Sequence, residues 1–445
     1  MADLIVKGDL IVTMNESNEI IENGAVIIEG PEITSVGPAD MVLDGKGGDK
    51  GARVLTGGRV LIMPGLVNSH THAAMTCFRG LADDLPLMTW LEENIFPAES
   101  KLTGEMVYWG TLLGCAEMIR SGTTFFCDMY LFEQDVARAV DRSGLRALIG
   151  EVLYDFPSPN YGPMEQGLVF TENLIDEWRG HERIRVAVEP HSTYTCSPGL
   201  LSACRELADR KGAPLITHLA ENEDEVSQIK ERYGLTPVNH LENLGLLSPN
   251  LIADHCVVLS DEEIHLLAER GVKVAHNPSS NLKLASGIAP IPELMKAGVA
   301  VGLGTDGPAS NNNLNMFGEM AMAAKIHKVA KLDPTVMDAA SVLTMATSNG
   351  AQTLGRGDRV GRLAPGYLAD LIVLDLDQPH LTPLYNPVSH LIYAASGMDV
   401  IHTIVHGEVL MEDRNLTTID LEELYQKMER ISKIMAEVVG NGARK

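Results

Sequence analysis

Short apolar, β-branched runs alternate with longer amphipathic runs along the middle of the chain. Runs of the first kind are typical of buried parallel strands, and runs of the second kind of the helices that connect them. Eight strands are predicted, at 65–68, 123–127, 146–152, 184–189, 214–217, 251–254, 272–275 and 299–304. Helical patterns lie between them, for example at 106–120, 198–211, 261–269 and 313–329. Eight strand–helix units predict an α/β fold, a (β/α)8 TIM-like barrel, whose active site is built at the carboxyl ends of its strands.

The two flanks of this region have a different pattern. Residues before 63 and after 363 alternate in the manner of β-strands and are interrupted by Gly and Pro. We therefore expect one small β-sandwich assembled from both chain ends, residues 1–62 and 364–415, beside a barrel of residues 63–363. Residues 416–445 are expected to contain a C-terminal helix, because helical periodicity begins at Asp420.

Composition and charge argue against nucleic acid and membranes as partners of this protein. The chain has 445 residues, with 35 Lys and Arg against 60 Asp and Glu, which gives a formal net charge of −25. Because so acidic a surface repels phosphate backbones, we expect no nucleic-acid partner. No run approaches the roughly 18 apolar residues of a membrane span, and we expect neither a membrane partner nor a signal peptide.

Cysteine usage bears on the location of the protein. The six cysteines are scattered, without a Cys-x-x-Cys pair. In a long chain without a signal peptide they are expected to be reduced thiols, which favours the cytoplasm. A homo-oligomer is expected as well, although the sequence does not give the number of subunits.

Polar residues fall at the carboxyl ends of several predicted strands. The first strand ends in His70 and His72, whose side chains point to the same side of an extended segment and can reach one ion. Later strand ends carry His218, His255 and Asp306. Taken singly, each has a structural interpretation, as a hydrogen-bonded histidine or a helix cap. Their joint position, at the end where such a barrel has its active site, indicates one functional site.

Four motifs resemble those of a known family: Met63–His72, His218–Glu221, His276–Asn281 and Gly304–Gly307. They are similar to the amidohydrolase superfamily, and more closely to its methylthioadenosine/S-adenosylhomocysteine deaminase branch, nearly from end to end. The resemblance implies one divalent metal ion, zinc or in some relatives iron. It implies the ligands His70, His72, His218 and Asp306.

The resemblance also implies catalytic roles, and elementary chemistry agrees with them. Three imidazoles and a carboxylate suit such an ion and leave room for a water whose pKa falls toward neutrality. Deamination of adenine needs hydroxide at C6, a proton at N1 and a proton on the departing ammonia. Glu221 could move the water's proton to N1, and His255 could orient the attacking oxygen. Asp306 could both touch the ion and relay a proton to ammonia. We therefore predict hydrolytic deamination of adenosine-type nucleosides to inosines.

Substrate contacts are implied by the long loop after the first strand. The resemblance implies that Glu99 binds both ribose hydroxyls, that Trp90 closes over the substrate and that His191 contacts the purine. Structural alternatives are a core aromatic and a solvated carboxylate. Some family members bind the homocysteine carboxylate with arginines in the loop after the third strand, but residues 154–167 contain no Arg or Lys. Because an unpaired carboxylate is costly to desolvate, we expect methylthioadenosine, 5'-deoxyadenosine or adenosine rather than S-adenosylhomocysteine.

Other readings stay open. A binuclear amidohydrolase needs a lysine at the end of the fourth strand, where this chain has His191. Guanine deaminases and triazine hydrolases share the metal motifs, and only the loop with Trp90 and Glu99 argues against them. A non-catalytic, assembly-forming relative is the alternative from another class, although such proteins usually lose ligands. The role of His276 is left open.

Overall fold

The computed structural model describes residues 2–44, 51–85 and 87–442 of the chain. Five strands come first along the chain: β1 (Leu4–Val12), β2 (Ile20–Glu29), β3 (Glu32–Pro38), β4 (Arg53–Thr56) and β5 (Val60–Pro64). Nine shorter strands follow: β6 (Leu66–Thr71), β7 (Thr123–Tyr130), β8 (Arg146–Leu153), β9 (Ile184–Val186), β10 (Glu189–Pro190), β11 (Leu215–Leu219), β12 (Leu251–His255), β13 (Lys273–His276) and β14 (Val301–Leu303). The last four are β15 (Leu371–Asp375), β16 (Val400–Val405), β17 (Glu408–Glu412) and β18 (Asn415–Leu416).

Strands β6 to β14 form the barrel. All pairs among them are parallel, from β6 to β10 in one sheet and from β11 to β14 in the next. Bridges from Val188 to Leu215 and from Ser192 to His218 join the two sheets. The Asp306 amide donates to the His70 carbonyl at 3.0 Å, which connects the chain after β14 to β6. The predicted (β/α)8 barrel is confirmed.

The fourth barrel strand differs from its prediction because it is divided into β9 and β10. At the break, the Ala187 amide donates to Ile149, whereas the Val188 amide donates to Pro214. The backbone therefore donates alternately to the third and the fifth strand, and β10 still pairs with β8 in the same register as β9. The His218 amide donates to the His191 carbonyl at 3.0 Å, so His191, just beyond β10, lies beside β11.

Helix α1 (Ala39–Asp44) lies between β3 and β4, before the barrel. Helices also occupy most connections of the barrel. Those before β12 are α2 (Leu87–Trp90), α3 (Phe96–Glu99), α4 (Gly104–Arg120), α5 (Glu133–Ser143), α6 (Met164–Glu177), α7 (Pro198–Lys211), α8 (Glu223–Tyr233) and α9 (Pro237–Asn243). The later helices are α10 (Asp261–Arg270), α11 (Pro278–Lys283), α12 (Ile291–Lys296), α13 (Met316–Lys331), α14 (Ala339–Met345), α15 (Ser348–Thr353), α16 (Pro387–Tyr393) and α17 (Leu421–Gly442).

Local capping explains where the predicted helices begin and end. Helix α7 follows Ser197, whose side chain accepts from the Leu200 amide, and it ends at Gly212 in the left-handed conformation. Helix α10 begins with a capping box of Ser260 and Glu263. Helix α13 begins three residues later than predicted, because Asn315 caps it by accepting from the Phe317 amide.

The strands of the two flanks meet in one nine-stranded sheet. Its order is β18-β17-β16-β15-β5-β1-β2-β3, and β4 pairs with β1. The junction is the antiparallel pair of β5 and β15, in which Ile62 lies opposite Val373. Apolar side chains of this sheet, such as Val26 and Ile404, form a core separate from that of the barrel. The domain boundaries at 62/63, 363/364 and 415/416 stay a prediction, and residues 1, 45–50, 86 and 443–445 lie outside the described residues.

The barrel and the nine-stranded sheet are tied together by a buried ion pair. Arg146, at the start of β8, donates from Nε and Nη2 to Asp370 at 2.7 and 3.1 Å. Both side chains are at most 2% exposed. Within the described part of the chain, no helix is long and apolar enough to cross a membrane.

Candidate active site

Four histidines converge at the carboxyl ends of the barrel strands. His70 and His72 end β6, and their ring centroids lie 4.8 Å apart. His218, in β11, lies 5.1 Å from His70, and His255, ending β12, lies 5.5 Å from His70 by the same measure. The His218 Nδ1 atom lies 2.7 Å from the His191 carbonyl, which leaves Nε2 facing the other rings. The histidines that were predicted to form one functional site therefore lie close together.

Asp306 completes this group, just after β14. Its Oδ1 atom lies 3.2 Å from His72 Nε2 and 3.6 Å from His70 Nε2. Its Oδ2 atom accepts hydrogen bonds from the hydroxyls of Ser280 at 2.5 Å and Ser310 at 2.9 Å. Because Oδ2 is held by two hydroxyls, Oδ1 is the oxygen that faces the imidazoles.

The donor set fits a metal ion. Ligand atoms of His70, His72 and His218 lie within 4.8 Å of one another, as do those of His70, His255 and Asp306. Burial lowers the pKa of His218 well below its usual value, with a smaller contribution from the neighbouring imidazoles, so the ring is neutral and able to bind a metal. His255, predicted as a catalytic residue, therefore also lies within reach of an ion bound here.

Glu221 lies beside the histidines, at the turn after β11. Its side chain is 7% exposed, and its backbone amide donates to Glu225 at 2.8 Å. Burial raises the pKa of Glu221, and the nearby His255 acts in the opposite direction. A carboxyl with a raised pKa takes up a proton more readily than an ordinary carboxylate, which suits a general base.

One cavity connects the predicted metal ligands with the predicted substrate residues. His72, His218, Glu221, His255 and Asp306 line it; so do Trp90, Glu99 and His191. His70 is fully buried behind them. The structure therefore places the complete predicted set in or directly behind one cavity, at the expected end of the barrel.

The predicted substrate residues are held by specific contacts. Trp90 donates from Nε1 to the Ala82 carbonyl at 3.1 Å, which fixes the ring to its own loop. His191 Nδ1 lies 2.9 Å from Thr195 Oγ1, and burial lowers the pKa of His191 to about 3, so the ring is neutral. Burial raises the pKa of Glu99 to about 7, although a hydrogen bond with Tyr130 and the charge of His72 lower it in part.

Several supporting residues were missed by the sequence analysis. Asp254 Oδ2 lies 3.1 Å from His70 Nδ1, and Asn281 Oδ1 lies 2.8 Å from His255 Nδ1. Ser280 and Asn281 belong to a motif already noted in the sequence, which was the available signal for them. Asp254 directly precedes His255, but adjacency in sequence says nothing about its contact with His70.

His276, whose role was left open, does not line the cavity. Its Nε2 atom lies 3.1 Å from Nε2 of His327 in α13, and both rings are buried. The contact joins β13 to α13 behind the site. His276 therefore joins β13 to α13 and lies outside the predicted set of metal ligands.

Comparison with known proteins identifies the family. The family model described as the amidohydrolase family matches residues 61–410. A 5-methylthioadenosine/S-adenosylhomocysteine deaminase of Syntrophobacter fumaroxidans is 57% identical over 432 residues, which cover 97% of this chain and 98% of that protein. A 5'-deoxyadenosine deaminase of Methanosarcina mazei is 45% identical over 440 residues, which cover 97% and 98% of the two chains.

A solved structure gives the same result. The crystal structure of an adenosine deaminase from Xanthomonas campestris, with bound zinc, matches with a TM-score of 0.95 and 38% identity over 98% of this chain and 99% of that one. The resemblance inferred from the four motifs is confirmed. The chain belongs to the amidohydrolase family, in the branch of the methylthioadenosine/S-adenosylhomocysteine deaminases, and is a hydrolase that acts on a carbon–nitrogen bond.

Proposed function

We propose that this enzyme deaminates adenosine-type nucleosides with an uncharged 5' substituent, namely methylthioadenosine, 5'-deoxyadenosine or adenosine. Water replaces the amino group at C6, and the products are the corresponding inosine and ammonia. The observation that carries the proposal is the single cavity that holds the histidines, Glu221 and Asp306 together with Trp90, Glu99 and His191.

The proposed metal is one zinc ion, with iron as the alternative, held by His70, His72, His218 and Asp306. When bound, a divalent ion of this kind lowers the pKa of a water ligand toward neutrality and makes it nucleophilic. The relative from Xanthomonas campestris has bound zinc, and the borderline-soft donor set of this chain suits the same ion. Asp254 supports the site by holding His70 at 3.1 Å.

Proton transfer is assigned to Glu221 and Asp306. Glu221 takes the proton of the attacking water and delivers it to N1 of the purine, for which its raised pKa is suitable. Through Oδ1, Asp306 takes the proton of the hydroxyl that has added to C6 and passes it to the departing amino group, which leaves as ammonia. Oδ1 lies on the side of the imidazoles and also accepts from the Gly307 amide, whereas Oδ2 accepts from Ser280 and Ser310. The two carboxylates thus work in different environments.

His255 orients the attacking oxygen and stabilises the charge that develops on it. Its Nδ1–H donates to the Asn281 amide oxygen at 2.8 Å, which leaves Nε2 to face the attacking oxygen. Asn281 therefore fixes the orientation of the ring. We assign Asn281 as a positioning residue for His255.

Recognition of the nucleoside is assigned to three residues of the cavity wall. Glu99 accepts hydrogen bonds from the ribose hydroxyls, Trp90 covers the substrate and His191 contacts the purine. The neutral state of His191 suits a hydrogen bond to a purine nitrogen without an additional charge.

The preference for an uncharged 5' substituent rests on the residues near Tyr154. The rings of Tyr154 and Phe156 stack with centroids 3.8 Å apart, and Phe96 lies 5.8 Å from Phe156. Among the described residues that line the cavity there is no Arg or Lys. An aromatic wall stabilises a methylthio group, whereas a carboxylate would be desolvated there without a cation.

A substrate panel tests the proposal directly. Purified zinc-loaded enzyme is mixed with adenosine, 5'-deoxyadenosine, methylthioadenosine, S-adenosylhomocysteine, adenine and guanine, and the change in ultraviolet absorbance is followed. We expect conversion of the first three to inosines and slower conversion of S-adenosylhomocysteine. Activity on guanine alone, or on none of the panel, would contradict the proposal and direct the search to guanine or triazine substrates.

Two variants separate the metal from proton transfer. His218→Ala should lose the metal, whereas Glu221→Gln should retain the metal and lose turnover. Metal content by mass spectrometry and the initial rate are measured on the same samples. Native activity in Glu221→Gln would remove Glu221 from the mechanism.

We also propose a cellular location and an oligomeric state for the enzyme. All six cysteines are free and buried, in accordance with a location in the cytoplasm. A homo-oligomer stays a prediction, which light scattering on the purified protein would test.

A further inference from the structure

A second cavity, of about 230 Å³, lies at the opposite end of the barrel from the active site. It is lined by residues at or before the amino ends of β7, β8 and β9, and by the segment after α15. Four of its side chains are arginines: Arg146, Arg183, Arg185 and Arg356. In a chain with a net charge of −25, such a concentration of positive charge calls for an explanation.

Two of these arginines are neutralised by carboxylates. Arg146 forms the bidentate pair with Asp370 described above, and its Nη1 donates to the Glu182 carbonyl at 2.9 Å. Arg183 donates to Asp141 at 2.7 Å. The Glu182 carboxylate, the remaining acidic group of the cavity wall, lies 3.0 Å from His406 Nε2. The carboxylates around the cavity are therefore engaged with groups other than Arg185 and Arg356.

Arg185 and Arg356 have no such partner within the described ranges. Arg185 donates from Nη1 to two carbonyls, of Leu354 at 3.3 Å and of Gly355 at 3.1 Å. Arg356 makes neither an ion pair nor a side-chain hydrogen bond with any described residue. Of the carboxylates nearby, the exposed Asp358 is the one whose charge acts on both. Two guanidinium groups thus share one cavity with unused donors.

The positive charges of Arg185 and Arg356 are in an unfavourable environment when no anion is bound. Burial lowers the pKa of Arg185 and of Arg356, and for Arg356 the neighbouring Arg146 and Arg185 lower it further. Positive charges that are partly removed from water and close to one another repel more strongly than on the surface. An anion between them would relieve this repulsion.

We propose that this cavity is a binding site for a small oxyanion of the phosphate class, held by Arg185 and Arg356. The planar guanidinium group offers paired N–H donors that match two oxygens of a tetrahedral oxyanion.

The site is distinct from the deaminase site because it lies at the amino ends of the strands, whereas the metal ligands and Glu221 lie at the carboxyl ends. The end with the amino termini of the strands is usually concerned with stability in barrels of this type. The expected effect of the oxyanion is therefore stabilisation of the fold, by binding the native state in preference to the unfolded chain. Turnover should not require it.

The test is titration calorimetry of zinc-loaded enzyme with inorganic phosphate at constant ionic strength. We expect saturable binding that is weakened at least about tenfold in Arg356→Gln, since one guanidinium fork is lost. The matched control is Arg59→Gln, which removes the same charge from an exposed position and should bind phosphate like the native protein. Both variants should keep the native rate of deamination. Equal phosphate binding in Arg356→Gln and the native enzyme would overturn the proposal.

Two further measurements keep the result decisive. Arg356→Lys retains the charge but not the paired donors, so it should fold and still bind phosphate more weakly than the native enzyme; native affinity in this variant would count against the assigned geometry. Uridine monophosphate, whose base is not an aminopurine, distinguishes a free oxyanion from the phosphate of a larger molecule. Tighter binding of this nucleotide, lost in Arg356→Gln, would support the site and identify a phosphate ester as its ligand. Binding of neither compound would refute the site.

Discussion

Replacement of Glu99 by glutamine should stabilise the enzyme at alkaline pH while impairing it. The Glu99 carboxyl lies in the wall of the cavity, and burial raises its pKa to about 7 from the usual 4.5. Because the native state holds this proton more tightly than the unfolded chain, the native enzyme loses stability as the pH rises from 4.5 through 7. Glutamine has no ionisable group and should not show this loss.

The magnitude follows from the two pKa values. A pKa of about 7 in place of 4.5 corresponds to about 3 kcal/mol once the carboxyl is ionised in both states. Water in the cavity screens part of this energy. We therefore expect the free energy of unfolding of Glu99→Gln to be about 1–3 kcal/mol larger than that of the native enzyme at pH 8. At pH 5.5 the advantage should be smaller, because the native carboxyl is then largely protonated in the folded state.

Urea denaturation of substrate-free, metal-free protein at pH 5.5 and pH 8 measures this difference. The matched control is Glu93→Gln, an exposed residue of the same loop, which should behave like the native enzyme at both pH values. An advantage of Glu99→Gln that is the same at both pH values, or none at pH 8, would refute the reasoning. The variant should also bind ribosyl substrates more weakly, seen as a raised KM.

Three further predictions concern positioning, specificity and the join between the two parts of the fold. Asn281→Leu should lower kcat about a hundredfold with little change in KM, because His255 loses its orientation, while Asn281→Asp, which keeps the acceptor, should retain most activity; a fully active leucine variant would remove Asn281 from its assigned role. Phe156→Arg should improve kcat/KM for S-adenosylhomocysteine relative to methylthioadenosine by about tenfold, and an unchanged ratio would place the 5' group elsewhere. Asp370→Asn should destabilise the protein by about 3–5 kcal/mol, because it leaves the Arg146 charge buried and unpaired; an unchanged urea midpoint would contradict this.

The barrel could be predicted from the sequence because the local residue pattern indicates each of its strands. Each buried strand is a short β-branched run, and caps such as Ser197 and Ser260 set the helix starts. The division of the fourth strand could not be predicted. It lies at Ala187 and Val188, whose amides donate to the strands on either side, and the geometry of the neighbouring strands, rather than the local residue pattern, determines it.

The site was predictable to the same extent. Histidines and acids at strand ends are visible in the sequence, and the topology of the barrel brings them together. The contacts that fix their orientation are not visible. Asn281 contacts His255, and Ser280 contacts Asp306. In each pair the two residues are 26 positions apart in the sequence, so the contact depends on how the intervening chain folds. Asp254 likewise reaches His70 only in the closed barrel.

The pairing of β5 with β15 has a consequence for synthesis of the protein on the ribosome. Strand β5 ends at Pro64, and its antiparallel neighbour begins at Leu371, so roughly 300 residues are translated between them. At about 5–20 residues per second this takes roughly 15–60 s. Throughout that interval the N–H and C=O groups along one edge of β5 have no partner strand, which favours pairing with other nascent chains. Chaperone demand should therefore peak late in translation, and end when β15 emerges from the ribosomal tunnel.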